Sequence, residues 1–478
     1  MASVYVGRKQ ELQKLEHLWD KKVPSLVVMK GRRRIGKSRL IQEFSKQYKT
    51  FLLVGLPPSG HETHQSQIDF FMKELCRQAN LPEFTVDDWM KAFQLLSRQL
   101  KDEKTVVAFD EISWMGSKDL DFIGKLKTAW DLYFKQFPQL IFILSGSVSS
   151  WIEDNILSST GFLGRISLTL DIPELSLNES IQMLKNQNVK ESPNNYLKLL
   201  TVTGGVPRYL EEVQGSLTIE SNLHNMCFST SGILFHEFEH IFSDLFDRRK
   251  EFYKKIVILL ANGAKDQAEI CKGVGLKLGG DIVHYMEHLI QSGFVKRYYT
   301  WSIKNGKVSK LSQYRLSDNY VRFYLNYILP QKQAIESGLF DNSSMGRLPT
   351  YEGIIGLQFE NLILNNRELI WNRLNLPKED ILCEGPFFQR TTQRTQGCQV
   401  DYMIQTKYNV LFICEIKYTK RPLSKDIIQE VEAKAAKVGA PKHYSKRIVL
   451  IHVHDEPEYI QGETYHWTVI NALSFLEK

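Results

Sequence analysis

Short apolar runs alternate with segments of helical periodicity along the first part of the chain. The apolar runs cover residues 26–29, 51–56, 105–109, 140–144 and 166–170, and each has a length typical of a buried strand. Between them, apolar residues recur at helical spacing near the N-terminus, after residue 38 and twice within residues 66–100. Strands that alternate with helices predict a parallel sheet. We therefore expect an α/β core at residues 1–172 and helices over residues 173–247.

The pattern changes after residue 247. Three helical segments, at residues 252–261, 265–273 and 281–292, precede two strands at residues 294–303 and 308–316. This order predicts a winged helix-turn-helix over residues 248–335. A segment rich in small and polar residues then predicts a linker at residues 336–350.

Residues 351–478 predict a second α/β domain. We expect a helix at residues 351–365, a strand at 410–414, a helix at 425–438 and a strand at 447–453. Together with the strand that carries Asp401, the predicted order of elements is αβββαβ.

Length and composition set further limits. A chain of 478 residues is too long for a single core and indicates about three domains. No run of about 18 apolar residues occurs, and the N-terminal stretch lacks the apolar centre of a signal peptide. Six cysteines are scattered without a C-x-x-C pair, which favours a reducing compartment over a disulfide framework or a zinc site. We expect a cytoplasmic protein with no membrane span.

The first apolar run leads directly into Gly31-x-x-x-x-Gly36-Lys37-Ser38, the Walker A pattern of a phosphate-binding loop. Glycines allow backbone N–H groups to surround phosphates, and the next helix adds the positive end of its dipole. Lys37 is predicted to reach the β- and γ-phosphates, and Ser38 to bind Mg²⁺. The residues predicted to contact the nucleoside triphosphate are Gly31, Arg32, Arg33, Arg34, Ile35, Gly36, Lys37, Ser38 and Arg39.

The strand at residues 105–109 ends in Asp110 and Glu111, about seventy residues after the loop. Asp110 is predicted to hold Mg²⁺, and Glu111 to polarise the water that attacks the γ-phosphate. The next strand ends in Ser145-Gly146-Ser147. Ser147 is a candidate sensor of the γ-phosphate, and a simple turn is the alternative.

Arg165 follows a Ser-Ser-Thr-Gly stretch and precedes the strand at residues 166–170. An arginine at this place can act as a finger on the nucleotide of a neighbouring subunit, which leaves a homo-oligomer open. A surface arginine without this role is the alternative.

His236-Glu237-Phe238-Glu239-His240 fits the H-E-x-x-H pattern of zinc proteases. No other protease feature accompanies the pattern. We therefore expect a connecting helix over residues 233–246 and no zinc.

Basic residues are concentrated in the predicted winged helix. Residues 248–332 hold 16 lysines and arginines against 6 aspartates and glutamates, although the whole chain carries a net charge of only +7. This enrichment favours contacts with the DNA backbone, whereas the third helix is poor in groups that read bases. A solvated hairpin or a protein-facing surface is the alternative. The candidate DNA-binding residues of the wing are Lys296, Arg297, Lys304, Lys307, Lys310 and Arg315.

Asp401, Glu415 and Lys417 form an Asp-x13-Glu-x-Lys pattern in the last domain. Period-two alternation places Glu415 and Lys417 on one face of a strand, which Asp401 on a neighbouring strand can approach. Asp401 and Glu415 can bind Mg²⁺ while Lys417 orients water, an arrangement suited to hydrolysis of phosphodiesters. The alternative is a salt-bridge cluster on an inactive fold. Residues 351–478 hold 16 basic and 16 acidic residues, so this domain would need the winged helix to hold DNA.

A series of motifs resembles the archaeal-type P-loop ATPase family, which belongs to the signal-transduction ATPases with numerous domains. The series comprises the boxes around Gly7-Arg8, Gly31–Ser38, Asp110-Glu111, Gly146–Ser149 and Gly204-Gly205-Val206-Pro207. The resemblance covers residues 4–213 and implies an ASCE-type three-layer αβα core with a helical lid. It implies ATP as the nucleotide, with Arg8 and Pro207 at the adenine pocket.

The same resemblance implies a winged helix followed by a restriction-endonuclease-like domain of the PD-(D/E)xK type. In that domain Glu360 matches the glutamate of the first helix. Together, these features predict a protein that hydrolyses ATP, binds DNA and cleaves it with Mg²⁺. The alternative is an ATP-switched DNA-binding or scaffold protein with an inactive nuclease fold.

Overall fold

The computed structural model describes residues 4–57, 61–246, 250–277, 279–340, 348–393, 396–419, 424–454 and 467–477. The chain divides into two compact units, Met1–Glu174 and Leu175–Lys478. Among the described helices, none is both long and apolar enough to cross a bilayer.

The first unit is built on a five-stranded parallel sheet with the strand order β2-β3-β4-β1-β5. The strands are β1 (Ser25–Lys30), β2 (Lys49–Val54), β3 (Thr105–Asp110), β4 (Leu140–Gly146) and β5 (Ile166–Asp171). The helices are α1 (Lys9–Glu16), α2 (Lys37–Ser45), α3 (His64–Ala79), α4 (Trp89–Ser97), α5 (Ile112–Met115), α6 (Phe122–Ala129) and α7 (Ser149–Ile152).

Burial of the strands explains why the sequence predicts them well. β3 and β4 are buried along their whole length, as expected for parallel strands that helices cover on both faces. All five apolar runs lie on strands, but β2 ends before Gly55. A Cβ atom at residue 55 would lie only 2.7 Å from the carbonyl oxygen of Glu111, so this residue packs against the next segment instead of extending the strand.

The second unit begins with helices and continues into a two-stranded hairpin. Its first helices are α8 (Leu177–Asn186), α9 (Pro193–Thr203), α10 (Pro207–Leu210), α11 (Ile219–Cys227), α12 (Ile233–Phe246), α13 (Lys250–Ala261), α14 (Gln267–Val274) and α15 (Gly280–Gln291). The hairpin consists of β6 (Val295–Trp301) and β7 (Val308–Leu316), which pair antiparallel. The elements from α13 to β7 lie where the sequence places a winged helix, and that identity stays a prediction.

Helix α14, the second helix of the predicted winged helix-turn-helix, begins later than the predicted residue 265. Asp266 and Glu269 form a capping box at the start of α14, so the helix begins at Gln267. Lys265 instead exchanges backbone hydrogen bonds with Tyr314 of β7. A local cap and a contact distant in sequence therefore set this boundary together.

The unit ends with a five-stranded mixed sheet of order β12-β11-β10-β9-β8. Its strands are β8 (Ile381–Gln389), β9 (Cys398–Thr406), β10 (Val410–Ile416), β11 (Ser445–His452) and β12 (Trp467–Asn471). The remaining helices of this unit are α16 (Asn319–Phe323), α17 (Lys332–Glu336), α18 (Tyr351–Asn365), α19 (Glu368–Arg373) and α20 (Lys425–Lys437). Residues 341–347 of the predicted linker lie outside the described residues.

The β6–β7 hairpin shares a core with this sheet. Trp301 and Ile303 belong to the same buried cluster as Phe387 of β8. The indole Nε1 of Trp301 donates to Oε1 of Gln405 (2.7 Å), and Nε2 of Gln405 donates to the carbonyl of Ile303 (2.8 Å). The hairpin is therefore anchored to the C-terminal sheet by apolar packing and by a buried amide.

We expect Gln405→Leu to lower the free energy of unfolding of the protein by ~2–3 kcal/mol, because buried polar groups of Trp301 and Ile303 lose their partners. Urea titration measures the change. The matched control is Gln399→Leu at an exposed position of the same strand, which should stay within about 0.5 kcal/mol of the wild type. Equal effects of the two substitutions would show that the amide does not anchor the hairpin.

Candidate functional site

Two glycines shape the loop between β1 and α2. Gly31 has a φ of 156°, and a Cβ atom there would lie 2.6 Å from the carbonyl oxygen of Ile172. Gly36, at the start of α2, has a φ of 91°. Because L-residues with a side chain rarely adopt such angles, the backbone path of this loop depends on glycine.

Lys37 lies inside this loop with only 5% of its surface exposed. Its Nζ donates to the carbonyl oxygens of Gly31 (2.9 Å) and Arg32 (3.1 Å). Burial lowers the pKa of Lys37, and the nearby carboxylates of Glu111 and Asp110 act in the opposite direction. The first unit thus holds a buried ammonium group beside two carboxylates at the carboxyl edge of its sheet.

The two residues predicted to bind Mg²⁺ in the first unit are in direct contact. Ser38 Oγ donates to Oδ2 of Asp110, and Oδ1 of Asp110 accepts the backbone N–H of Glu111 (3.1 Å). A hydroxyl and a carboxylate are oxygen ligands of the kind that Mg²⁺ prefers. The side chains of Ser38 and Asp110 therefore fit a magnesium ion.

Glu111 and Ser147 also meet. Oε2 of Glu111 accepts hydrogen bonds from the backbone N–H (3.1 Å) and the hydroxyl (2.7 Å) of Ser147. Glu111 has a φ of 50°, which is a left-handed conformation that is uncommon for glutamate and recurs at functional sites. A simple turn would not require this side-chain contact, so Ser147 is a partner of the predicted catalytic glutamate.

The guanidinium groups of Arg8 and Arg32 both contact other groups of the first unit. Nη2 of Arg8 donates to the carbonyl oxygens of Ile35 (3.2 Å) and Pro173 (2.5 Å), and the residue is buried. Arg32 forms an ion pair with Glu174 at 3.2 Å. Arg8 thus supports the phosphate loop through its backbone, and Arg32 offers Lys37 its carbonyl group. The predicted contact of both residues with the nucleotide stays a prediction.

The remaining loop and sensor candidates stay predictions. Arg33 and Arg34 are half-buried, and Arg39 is exposed. The guanidinium of Arg165 forms two hydrogen bonds with Asp131, at 3.0 and 2.9 Å, and this contact lowers the pKa of Asp131 to about 2. The finger candidate is therefore paired within its own chain.

Pro207 is the first residue of α10, a position that suits the fixed φ of proline. It belongs to the second compact unit. Its predicted place at the adenine pocket stays a prediction.

The H-E-x-x-H pattern lies on α12, as the sequence predicts. Its Glu237 is 1% exposed, and Oε1 accepts a hydrogen bond from the hydroxyl of Tyr209 (3.0 Å). Nε2 of His236 contacts the carbonyl oxygen of Thr230 (3.1 Å). Both residues thus make contacts that tie α12 to its surroundings.

The basic residues of the hairpin separate into two groups. Lys304, Lys307 and Lys310 are exposed. Lys296 hydrogen-bonds Asn365, and the guanidinium of Arg297 lies 4.6 Å from the ring centre of Tyr299. Only the first group presents charge freely to solvent.

Arg315 is a correction to the sequence prediction, because it is 5% exposed and faces the interior. Its guanidinium forms an ion pair with Glu360 on α18. It also donates to Oδ1 of Asn361 (2.7 Å) and to the carbonyl of Leu357 (3.3 Å). A buried guanidinium with these partners cannot reach a DNA backbone, so it is removed from the candidate DNA surface.

Glu360, Asp401 and Glu415 define what we call the carboxylate site. Oδ2 of Asp401, on β9, accepts the backbone N–H of Ile416 (2.9 Å). Burial, followed by the charges of Glu360 and Glu415, raises the pKa of Asp401 to about 8. The hydrogen bond to Ile416 places Asp401 beside the end of β10, where the strand pattern predicts that it approaches Glu415, whereas Glu360 was expected only from the family resemblance.

Two lysines share one oxygen of Glu415. Nζ of Lys417 lies 3.1 Å from Oε1, and Lys434 of α20 hydrogen-bonds the same atom. Lys417 also lies 3.5 Å from Glu430. Lys434 is not among the residues that the sequence pattern predicts, although its place between buried Val431 and Ala435 puts a lysine on the inner face of an amphipathic helix.

The other oxygen of Glu415 decides whether a metal ion fits. Oε2 is buried and has no hydrogen-bond partner among the described residues. In the same part of the chain, no group of three or more His, Cys, Asp or Glu side chains is placed to hold a metal ion. Magnesium commonly uses one or two protein carboxylates together with water and substrate phosphate. Asp401 and Glu415 therefore fit such a two-carboxylate arrangement.

Asp401→Asn tests the burial of this carboxyl group. Asp401 ionises near pH 4 when unfolded but near pH 8 when folded, so its contribution to stability falls as the pH rises between these values and is then constant. In EDTA at pH 8.5, we expect the variant to exceed the wild type in unfolding free energy by more than ~1 kcal/mol. Urea titrations over this pH range measure the difference.

This advantage should shrink as the pH falls toward about 5. The control Asp426→Asn, at an exposed position of α20, should show no such trend. A difference for Asp401→Asn that is constant from about pH 5 to about pH 9 would mean that Asp401 is ionised throughout this range.

Comparisons with known proteins agree with the geometry of the first unit. Residues 5–213 match a family described as an ATPase domain predominantly from Archaea. An uncharacterised protein of Methanocaldococcus jannaschii is 25% identical over 363 residues, which are 75% of this chain and 76% of that protein. An uncharacterised ATP-binding protein of the same organism is 41% identical over 46 residues, which are 10% of this chain and 78% of that protein.

Among solved structures, a Walker-type ATPase of Pyrococcus abyssi is similar at 18% identity with a TM-score of 0.49. The similarity covers 67% of this chain and 96% of that one. The family match contains the glycine loop, Lys37, Asp110, Glu111 and Ser147. Residues 5–213 therefore carry an ATPase domain of the kind found predominantly in Archaea, and the rest of the chain lies outside this match.

Proposed function

We propose that this protein is an ATPase whose C-terminal unit cleaves DNA phosphodiester bonds with a divalent metal ion. The observation that carries the nuclease part is Oε2 of Glu415, which is buried beside Lys417 and Asp401 and has no hydrogen-bond partner in the described part of the chain. Burying a carboxylate oxygen without a partner is costly, so such an atom favours a ligand that supplies positive charge.

In the first unit, each residue has a definite task. Lys37 would neutralise charge on the phosphates, and Ser38 with Asp110 would hold Mg²⁺, which would supply further charge neutralisation. Glu111 orients the attacking water and accepts its proton. Ser147 fixes Oε2 of Glu111 through two hydrogen bonds and thereby sets the direction of the carboxylate.

In the carboxylate site, Asp401 and Glu415 would hold the metal ion, which activates water and stabilises charge on the phosphate. Lys417 is 29% exposed, so its ammonium group can turn from Glu415 toward a scissile phosphate. The exposed Lys304, Lys307 and Lys310 would contact the DNA backbone without reading sequence.

A second candidate function is an ATP-switched DNA-binding or scaffold protein with an inactive carboxylate site. The specific observation in its favour is that Arg315 pairs with Glu360, and that Lys417 and Lys434 pair with Glu415. These ion pairs can exist without a metal ion. The two candidates differ in whether metal-dependent cleavage occurs.

We expect Glu111→Gln to lower the kcat of ATP hydrolysis by about 100-fold or more while ATP binding is retained, because the amide cannot accept a proton from water. Steady-state phosphate release and binding of a fluorescent ATP analogue measure the two effects. The control Glu103→Gln changes a half-exposed glutamate near the start of β3 and should leave both unchanged. Full activity in Glu111→Gln would remove Glu111 from the mechanism.

Cleavage of plasmid and branched DNA with Mg²⁺ or Mn²⁺, with and without ATP, tests the nuclease site. We expect Glu415→Gln to lower the cleavage rate by about 100-fold or more, because a metal-binding carboxylate is lost. The control Glu368→Gln, at an exposed position of α19, should cleave normally. Lys37→Ala, which removes the phosphate-binding ammonium group, shows whether ATP controls cleavage. Absence of cleavage under every condition, with intact ATP hydrolysis, would favour the switched binding protein.

A further inference from the structure

The carboxylate site contains as many cationic side chains as carboxylates, and these cations are buried or half-buried. Arg315 pairs with Glu360, and both Lys417 and Lys434 contact Oε1 of Glu415. Asp401, the third carboxylate, also feels the charge of Lys434. The site therefore has no surplus of negative charge before a metal ion arrives.

Outside this set, the buried guanidinium of Arg322 interacts with Glu360 and is offset by the opposite charge of buried Asp318. Glu430, which lies 3.5 Å from Lys417, is 59% exposed. Solvent screens a carboxylate in this position, so it contributes little to the charge balance inside the site.

A divalent cation would add two positive charges to this interior. Uncompensated charge is costly in a partly buried site, because the desolvation penalty is not repaid. A DNA phosphodiester carries a negative charge and oxygen atoms that can complete the coordination of a metal ion. The phosphate group supplies the negative charge that the protein does not have in excess.

We propose that the carboxylate site takes up its divalent metal ion together with a DNA phosphodiester and binds the ion only weakly on its own. This inference rests on the proposed nuclease function and adds the order of assembly at the site. Metal affinity and DNA affinity then raise each other by the same factor, as thermodynamic linkage requires.

Lys434 is the residue that enforces this dependence. Its ammonium group holds Oε1 of Glu415, which leaves Oε2 as the oxygen available to a metal ion. The same positive charge opposes metal binding when no phosphate is present. Lys434 is thus a positioning residue that also sets metal affinity, and it lies outside the Asp-x13-Glu-x-Lys pattern.

The experiment measures Mn²⁺ binding to the full chain without nucleotide, by calorimetry and by thermal stabilisation, with and without a phosphorothioate DNA duplex. Glu415→Gln reports binding at other sites, and its signal is subtracted. For the wild type, we expect the duplex to tighten Mn²⁺ binding by about 10-fold or more. Lys434→Met should tighten Mn²⁺ binding about 10-fold without DNA, because a competing positive charge is removed.

Two further variants complete the design. Lys434→Gln is a second neutral substitution in case the methionine variant folds poorly. Lys437→Met changes an exposed lysine one turn along α20 and should behave as the wild type. Equal Mn²⁺ affinity with and without DNA, or weaker binding in both Lys434 variants, would overturn the inference and leave the nuclease proposal standing. No Mn²⁺ binding that depends on Glu415, even with DNA, would overturn both.

Discussion

The requirement that buried charge be compensated underlies both candidate sites. Lys37 is buried in the phosphate loop, where two carbonyl oxygens and the nearby carboxylates of Asp110 and Glu111 compensate its charge. Glu415 is buried at the end of β10, where two lysines compensate one of its oxygens. In each case the local fold supplies partners for a charge that water cannot reach, since an unpaired charge there would be prohibitively costly. Each site also presents ammonium groups, of Lys37 in the first unit and of Lys417 and Lys434 in the second, that can interact with phosphate groups of a ligand.

The same requirement gives the basic residues of the β6–β7 hairpin two different roles. Basic enrichment in the sequence suggests a single DNA-binding surface, but the structure divides the residues by burial. Arg315 turns inward and neutralises Glu360, whereas Lys304, Lys307 and Lys310 remain at the surface. Because Trp301 and Gln405 lock the hairpin onto the C-terminal sheet, the hairpin is part of the framework of the carboxylate site. A count of charges cannot separate these roles, since it does not show which side of a strand faces the core.

Local pattern was sufficient for much of the fold. Five apolar runs predicted the five strands of the first sheet, and the signal is strongest for β1, β3 and β4, which lie in the middle of the sheet and are buried on both faces. The hairpin strand β7 and the helices α12 and α18 begin and end where the sequence places them. The predicted boundaries were wrong where residues distant in sequence set them. Examples are the end of β2, where Gly55 packs against Glu111, and the start of α14, where Lys265 pairs with Tyr314.

The sequence by itself determined the phosphate loop, the Asp110-Glu111 pair and the Asp401, Glu415 and Lys417 set, because each depends on spacing within a strand or across one turn. Tertiary structure alone decided the contact between Ser147 and Glu111, the structural use of Arg8, and the entry of Arg315 and Lys434 into the carboxylate site. The physical reason is that a charged side chain takes the partner that burial brings to it. Burial is a property of the folded chain, and these partners lie on elements that are separate in the sequence.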